Sequence, residues 1–202
     1  GNNDMGSSEQ GKPDGIAILD FGGQYCHLIA RRVREMNVFS EILPCDATLD
    51  ELDSLAEVMN LKGIILSGSP ASLRIKDSPR LSEGVLETGL PVLGLCYGHQ
   101  LMAHMHGGEV RRGEKQEYGI TEATVKQAIG ILKGLDSEER VWMSHGDTVF
   151  NIPGEFQVLA HTEVSPVAAF MHKSKPLHGL QWHPEVVHTS KGTQMLRNFV
   201  LD

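Results

Sequence analysis

Three residues of this sequence have the types and spacing for covalent chemistry: Cys96, His183 and Glu185. Cys96 stands in Pro91-Val92-Leu93-Gly94-Leu95-Cys96-Tyr97-Gly98-His99-Gln100. Pro91 to Leu95 reads as a short buried strand and His99 to His106 as a helix, closed by Gly107-Gly108. Between them, Gly94-x-Cys96-x-Gly98 has the form of a nucleophile elbow with sulfur in place of the serine oxygen. The glycines allow a sharp strand-to-helix turn, and the Tyr97 N–H is left free to bind an oxyanion. Taken alone, the stretch fits a buried structural cysteine equally well. A thiol is a useful nucleophile at neutral pH only when a base or cation ionises it. The candidate base lies in Gln181-Trp182-His183-Pro184-Glu185. On an extended segment, residues i and i+2 project to one side, which groups His183 with Glu185, and Pro184 biases His183 away from helical geometry. An imidazole oriented by a carboxylate and aimed at a thiol is the generalised triad. Alone, His-Pro-Glu is more simply a half-buried strand end; together with the elbow it is a base and its orienter.

The elements that must position these groups alternate in type. Ile16 to Asp20 reads as a strand, Gln24 to Asn37 as a helix with Cys26, Ile29, Ala30 and Val33 on its apolar face, and Val38 to Pro44 as the next strand. Thr48 to Asn60 is predicted helical with Thr48 as N-cap. Gly63 to Ser67 is a third strand, closed by Gly68-Ser69-Pro70, and Pro79 to Thr88 a further helix. This alternation predicts an α/β fold: an open, mostly parallel mixed sheet with helices on both faces and sites at the carboxyl ends of its strands. The Gly68-Ser69 turn and the Cys96 elbow both lie at such ends. After Gly108 come short extended runs at 109–112, 118–125, 141–143, 156–160 and 167–172, which predict antiparallel additions. Leu177 to Trp182 is one more strand and Lys191 to Leu201 a terminal helix.

The 202 residues carry a net charge of −8, which argues against nucleic acid or an anionic membrane as the main partner. No apolar run reaches transmembrane length, no signal-peptide segment opens the chain, and three scattered cysteines make no disulfide framework, so a cytoplasmic setting is expected. Residues 1–14 are expected to be a disordered tail or cloning remnant, and 15–202 a single domain. His99, His104 and His106 are out of helical phase for one metal, so no metal site is expected. His161, His172, His178 and His188 read as surface histidines, and Arg111, Arg112 and Lys115 as a solvated face.

The elbow and the His-Pro-Glu segment together resemble those of the class I (triad) glutamine amidotransferases. Within that family the chain is most similar to the amidotransferase part of GMP synthetases. That closer likeness is carried by Leu19-Asp20-Phe21-Gly22-Gly23-Gln24-Tyr25, Arg31-Arg32-Val33-Arg34-Glu35, Leu66-Ser67-Gly68-Ser69-Pro70, Glu117-Tyr118-Gly119 and Trp142-Met143-Ser144-His145-Gly146-Asp147. The resemblance implies that Cys96 attacks the side-chain amide of L-glutamine, that His183 moves protons, and that Glu185 orients His183. It further implies an oxyanion hole from the backbone of Tyr97, Gly68 and Ser69, and glutamine binding by Gln100, Ser144, His145 and Gly146. Asp147 either caps a turn or signals to a synthetase partner. The family usually has glycine where Ser69 stands, and a positive φ there would cost a serine about 1 kcal/mol or more. The implied partner is an ATP-pyrophosphatase domain or subunit that converts XMP to GMP. ATP and Mg would serve only that partner, and the glutaminase part would need no cofactor. The partner's Ser-Gly-Gly-x-Asp-Ser phosphate loop does not occur in this sequence, which is therefore expected to be a separate subunit or an excised domain. The rival readings are another Cys-His-Glu γ-glutamyl hydrolase, an anthranilate-type amidotransferase subunit, and a non-catalytic regulatory module.

Overall fold

A computed structural model describes residues 11–201. In chain order the elements are β1 (Asp14–Asp20), α1 (Cys26–Arg34), β2 (Phe39–Pro44), α2 (Leu49–Leu55), β3 (Asn60–Leu66), β4 (Val92–Leu95), α3 (Tyr97–Met105), β5 (Glu109–Val125), β6 (Glu138–Asn151), β7 (Phe156–His161), β8 (Ala169–His172), β9 (Leu177–Leu180) and α4 (Gly192–Val200). The strands form one sheet in the order β2-β1-β3-β4-β9-β8-β7-β5-β6. From β2 to β9 the neighbours are parallel; from β9 through β8, β7 and β5 to β6 they are antiparallel. The open mixed sheet predicted from the sequence is therefore what forms. β3, β4 and β9 are rich in fully buried Ile, Leu and Val, as strands covered on both faces must be.

Each face of the sheet has its own apolar layer. One joins Ile29 and Val33 of α1 to Leu196 and Phe199 of α4, with Trp182 inside it. The other holds Leu52 and Leu55 of α2 and Leu101 and Met102 of α3. The start of α2 is set locally: Thr48 Oγ1 accepts from the Glu51 N–H, and the Glu51 carboxylate accepts from the Thr48 N–H, a reciprocal capping box. Register then determines the site. Leu95 of β4 pairs with Leu180 of β9, and the Cys96 N–H donates to the Leu180 carbonyl at 2.8 Å. The residue after each strand thus leaves the sheet beside the other.

Several boundaries differ from the sequence reading. The helix predicted at 79–88 reduces to a single 3-10 turn at Val85–Glu87, because Gly84 enters it at φ +87° and breaks the α-helical path. The extended runs 109–112 and 118–125 are one strand with an irregularity between Arg112 and Glu117. Chain order begins before residue 15. Lys12 Nζ donates to the Ala56 carbonyl, and the Pro13 carbonyl accepts from Asn60 N–H at 2.7 Å. The rest of the expected tail, 1–10, lies outside the described residues. Two of the supposed surface histidines are withdrawn from solvent, His172 fully and His178 in part. His172 is buried against Phe156 and Glu155, and burial pushes His178 down to about 4.

α3 lies so close to β3 that a Cβ on Gly98 would sit 2.7 Å from Leu66 Cβ and 2.8 Å from the Leu66 carbonyl oxygen. Gly98→Ala would gain about 1 kcal/mol in helix propensity. The obstacle includes strand backbone, however, and overpacking of that kind costs roughly 1–3 kcal/mol. Net destabilisation is expected in urea or thermal unfolding; a stabilised variant would contradict the close approach.

Candidate active site

The turn that carries Cys96 is backbone under strain. Cys96 has φ +53° and ψ −106°, outside the regions that side-chain-bearing residues prefer. Such a conformation costs on the order of 1–3 kcal/mol and persists only where neighbours over-determine it. Here they do. Gly94 and Gly98 nearly touch, since a Cβ on Gly94 would lie 2.5 Å from the Gly98 carbonyl oxygen. The strain places the thiol at the start of α3, where the first N–H groups of a helix have no partner within it. Among the described residues no hydrogen bond takes up the Tyr97 N–H.

Cys96 Sγ lies 3.0 Å from His183 Nε2, and His183 Nδ1 lies 2.7 Å from Glu185 Oε2. All three are buried. Tyr25 meets the His183 ring edge-on at 5.1 Å, and Arg32 Nε donates to the Glu185 carbonyl at 3.0 Å, fixing the segment from α1. Glu185 Oε1 has no hydrogen-bond partner among the described residues, so the carboxylate's stabilisation falls largely on the imidazole. For His183, burial works against the charged ring, but the Cys96 sulfur and Glu185 outweigh it and hold the group well above the ordinary histidine range. For Cys96, burial is the largest effect and pushes the thiol up, while His183 pulls it down. These directions conflict, because a protonated thiol offers no anion to raise the histidine. The upward direction for His183 is the one that stands, since Glu185 faces Nδ1 in either ionisation state of Cys96. The other two thiols lack a base: burial, and then Asp20, push Cys26 up to about 11, and burial and Asp46 raise Cys45.

A pocket of about 460 Å³ opens over this group. Gly68, Ser69, Cys96, Tyr97, Gln100, Ser144, His145, Gly146, Asp147 and His183 all line it, so the structure brings together every predicted site residue except Glu185, which stands behind His183. Gly68 lies close against the base: a Cβ there would meet His183 Cε1 at 3.2 Å, so the ring would have to shift by a few tenths of an ångström. Its carbonyl accepts from the Gly23 N–H at 3.1 Å, which in a trans peptide turns the Ser69 N–H away from Gly23. Ser69 is not among the residues with positive φ, so the serine costs nothing there, in keeping with the extended bias of a residue before proline. Its hydroxyl accepts from the Ala71 N–H at 3.1 Å. Gln100 donates its amide NH2 to the Asp147 carbonyl and to Gln181 Oε1, which leaves Gln100 Oε1 as its available acceptor. Asp147 is a tie between the two loops at the pocket mouth: its carboxylate accepts from Ser72 Oγ at 2.5 Å and from Arg74 Nε at 3.1 Å.

Sequence reasoning gave no role to Gly23, Tyr25, Arg74 or Glu117. Gly23, Tyr25 and Glu117 lie in the stretches that carried the resemblance, which was the available signal. Arg74 had none. His99, His104 and His106 go to separate environments: His99 is buried against Phe170 and donates to the Val167 carbonyl, His106 donates to the Met102 carbonyl, and His104 is exposed.

Residues 17–202 match the family model for glutamine amidotransferase class-I. The chain belongs to the class I glutamine amidotransferases. It is 46% identical over 191 residues to a protein of Caldanaerobacter subterraneus named GMP synthase [glutamine-hydrolyzing], covering 95% of this chain and 36% of that one. It is 50% identical over 187 residues to the protein of the same name from Desulfotalea psychrophila, covering 92% and 36%. The chain thus spans about a third of the length of these relatives. A crystal structure from Thermoplasma acidophilum, provisionally described as one subunit of a GMP synthase, superposes with a TM-score of 0.80 at 33% identity, covering 93% of this chain and 92% of that one. A glutamine amidotransferase from Thermotoga maritima shares the fold, with a TM-score of 0.69 at 16% identity over 94% of this chain and 99% of that one.

Replacing Glu185 by Gln removes the charge that holds the imidazolium. His183 should then lose its proton at lower pH, moving the alkaline limb of the kcat/KM profile for glutamine downward. A limb that stays in place would show that Glu185 does not tune His183.

Proposed function

We propose that the chain hydrolyses L-glutamine to glutamate and ammonia through a γ-glutamyl thioester on Cys96. The observation that carries this reading is the buried Cys96–His183–Glu185 line at the floor of an amino-acid-sized pocket. His183 takes the thiol proton, and the sulfur attacks the side-chain amide carbon. Negative charge develops on the former carbonyl oxygen, where the N–H groups of Tyr97 and Ser69 are the proposed donors, a contribution of roughly 3–4 kcal/mol per donor in comparable sites. His183 returns the proton to the leaving nitrogen and ammonia departs. The same imidazole then deprotonates a water that attacks the thioester, and glutamate leaves as the sulfur regains its proton. The cycle balances with glutamine and water alone, so this site calls for no metal or cofactor. At the amino-acid end, Gln100 Oε1 is an acceptor suited to the α-ammonium, and the backbone of Ser144, His145 and Gly146 holds the rest.

The ammonia is destined for an ATP-pyrophosphatase domain or subunit that aminates XMP to GMP, with ATP and Mg bound there. The names of the relatives support this assignment, as does their greater length. The setting is cytoplasmic; among the described residues no helix is long and apolar enough to cross a membrane. Asp147 ties the 67–74 loop to the 144–147 edge, which suits it to carry a signal from a docked partner to the oxyanion turn. Glutamate release should be weak for the chain alone and rise with a GMP-synthetase ATP-pyrophosphatase partner plus ATP and XMP. Asp147→Ala should lower that stimulation more than the basal rate. Stimulation by an anthranilate-type partner with chorismate instead would overturn the assignment of the acceptor, and full activity indifferent to any partner would favour a free-standing γ-glutamyl hydrolase.

His183→Ala should abolish both thioester formation and turnover, whereas Glu185→Ala should retain measurable activity, because the carboxylate only orients and stabilises the ring. Single-turnover glutamate release by the two purified, folded variants checks this. Equal and complete loss would give Glu185 a more direct part.

A further inference from the structure

Glu117 is a buried carboxylate that the proposed chemistry does not use. It sits on β5 directly across from His145 of β6. Its Oε1 accepts from His145 Nε2 at 2.7 Å and from Ser165 Oγ at 2.8 Å, and its Oε2 accepts from Thr162 Oγ1 at 2.7 Å. Burial raises its pKa, but the hydrogen bonds from His145, Thr162 and Ser165 outweigh this and hold the carboxyl below its ordinary range. On the other side of the ring, His145 Nδ1 donates to the Asp147 carbonyl at 2.6 Å, and that carbonyl also accepts from Gln100 Nε2 at 3.1 Å. A carbonyl oxygen only accepts, so Nδ1 carries hydrogen, and the imidazole is gripped at both ends.

The result is a continuous polar chain beneath the pocket wall. It starts at Thr162 and Ser165 in the loop after β7, runs through Glu117 and His145 to the Asp147 carbonyl, and ends at Gln100 one turn into the elbow helix. Ser144, His145, Gly146 and Asp147 lie between these anchors and line the pocket. Turning the Asp147 carbonyl away would break both hydrogen bonds that it accepts, and the His145 side chain is tied at each of its ring nitrogens. A buried polar network with its members satisfied stiffens the segment that carries it.

We propose that Glu117 is a positioning residue for glutamine: through the buried pair with His145 it fixes the 144–147 edge so that its backbone can hold the amino-acid end of the substrate. The proposal rests on the glutaminase reading above and adds a binding determinant to it. It separates two properties, since the edge serves recognition of the amino-acid end whereas the thiol and its base stand in the segments that follow β4 and β9. Loss of Glu117 should therefore weaken glutamine binding while leaving Cys96 as reactive as before.

Glu117→Gln keeps the volume and removes the charge. Thr162 Oγ1 already accepts from the Ser165 and Val164 N–H groups, so an amide NH2 in place of Oε2 meets no open lone pair. The experiment compares two reagents on the full chain, with labelling of Cys96 followed by mass spectrometry. One is a diazo-ketone analogue of glutamine, which must be held by its amino-acid end; the other is iodoacetamide, which needs only the thiolate. In Glu117→Gln, inactivation by the analogue is expected to slow about tenfold, and KM for glutamine to rise similarly with kcat little changed, as loss of a charge-assisted hydrogen bond implies. The iodoacetamide rate should not move. Equal slowing with both reagents, or slowing with neither, would overturn the proposal. If the wild-type Cys96 is labelled by iodoacetamide but ignores the analogue, the glutamine reading itself fails, and this proposal with it. Should Glu117→Gln not fold, Ser165→Ala removes one bond to the same carboxylate from outside the pocket and should show the same split at smaller amplitude.

Discussion

The strained backbone of Cys96 is the constraint around which the site is arranged. A residue with φ +53° and ψ −106° turns β4 into α3 within one position, so the thiol stands clear of both the sheet and the helix. Relaxing it to ordinary helical geometry would withdraw the sulfur from His183. What prevents relaxation is packing on each side: Gly94 against Gly98, Gly98 against Leu66 of β3, and the Cys96 N–H fixed on Leu180 of β9. The neighbouring strand matters twice, because β9 both holds the elbow and continues into the segment that delivers His183. Parallel pairing of β4 with β9 is thus the link between the global topology and a 3.0 Å sulfur-to-nitrogen contact.

Electrostatics then decides what that contact can do. A carboxylate buried with one unpartnered oxygen is costly unless a cation faces it, and among the described residues the group offered to the other oxygen of Glu185 is His183. The imidazolium so favoured is what lowers the energy of a thiolate that burial alone would disfavour. Around this charged line the pocket wall is held by a backbone hydrogen bond, Gly23 N–H to the Gly68 carbonyl, and by side-chain ties, Asp147 to Ser72 and Arg74 and His145 to Glu117. The surfaces proposed to meet glutamine are largely backbone, and their orientation is set from behind.

This division explains what could be read in the sequence. Elbow and triad were legible because they are local: a glycine frame within five residues and an i, i+2 pair next to proline. The Thr48 N-cap and the alternation of strands and helices were legible for the same reason. Glu117 was not, because its partners lie 28 to 48 residues away and a glutamate among charged neighbours looks like surface. The buried His172 and the half-buried His178 misled in the same way, as their cover comes from the antiparallel half of the sheet and its pairing with β9. The absent helix at 79–88 reflects Gly84, whose left-handed φ no pattern of apolar spacing reveals.

The central claim is that Cys96, and no other group, forms a covalent bond with the side-chain amide carbon of glutamine. Rapid acid quench during turnover, followed by peptide mass analysis, tests it most directly. The account predicts a glutamyl adduct on the peptide containing Cys96, present in the wild type during turnover, discharged as glutamate, and lacking in His183→Ala. An adduct on Cys26 or Cys45, or steady glutamate release by a Cys96→Ala variant, would contradict it.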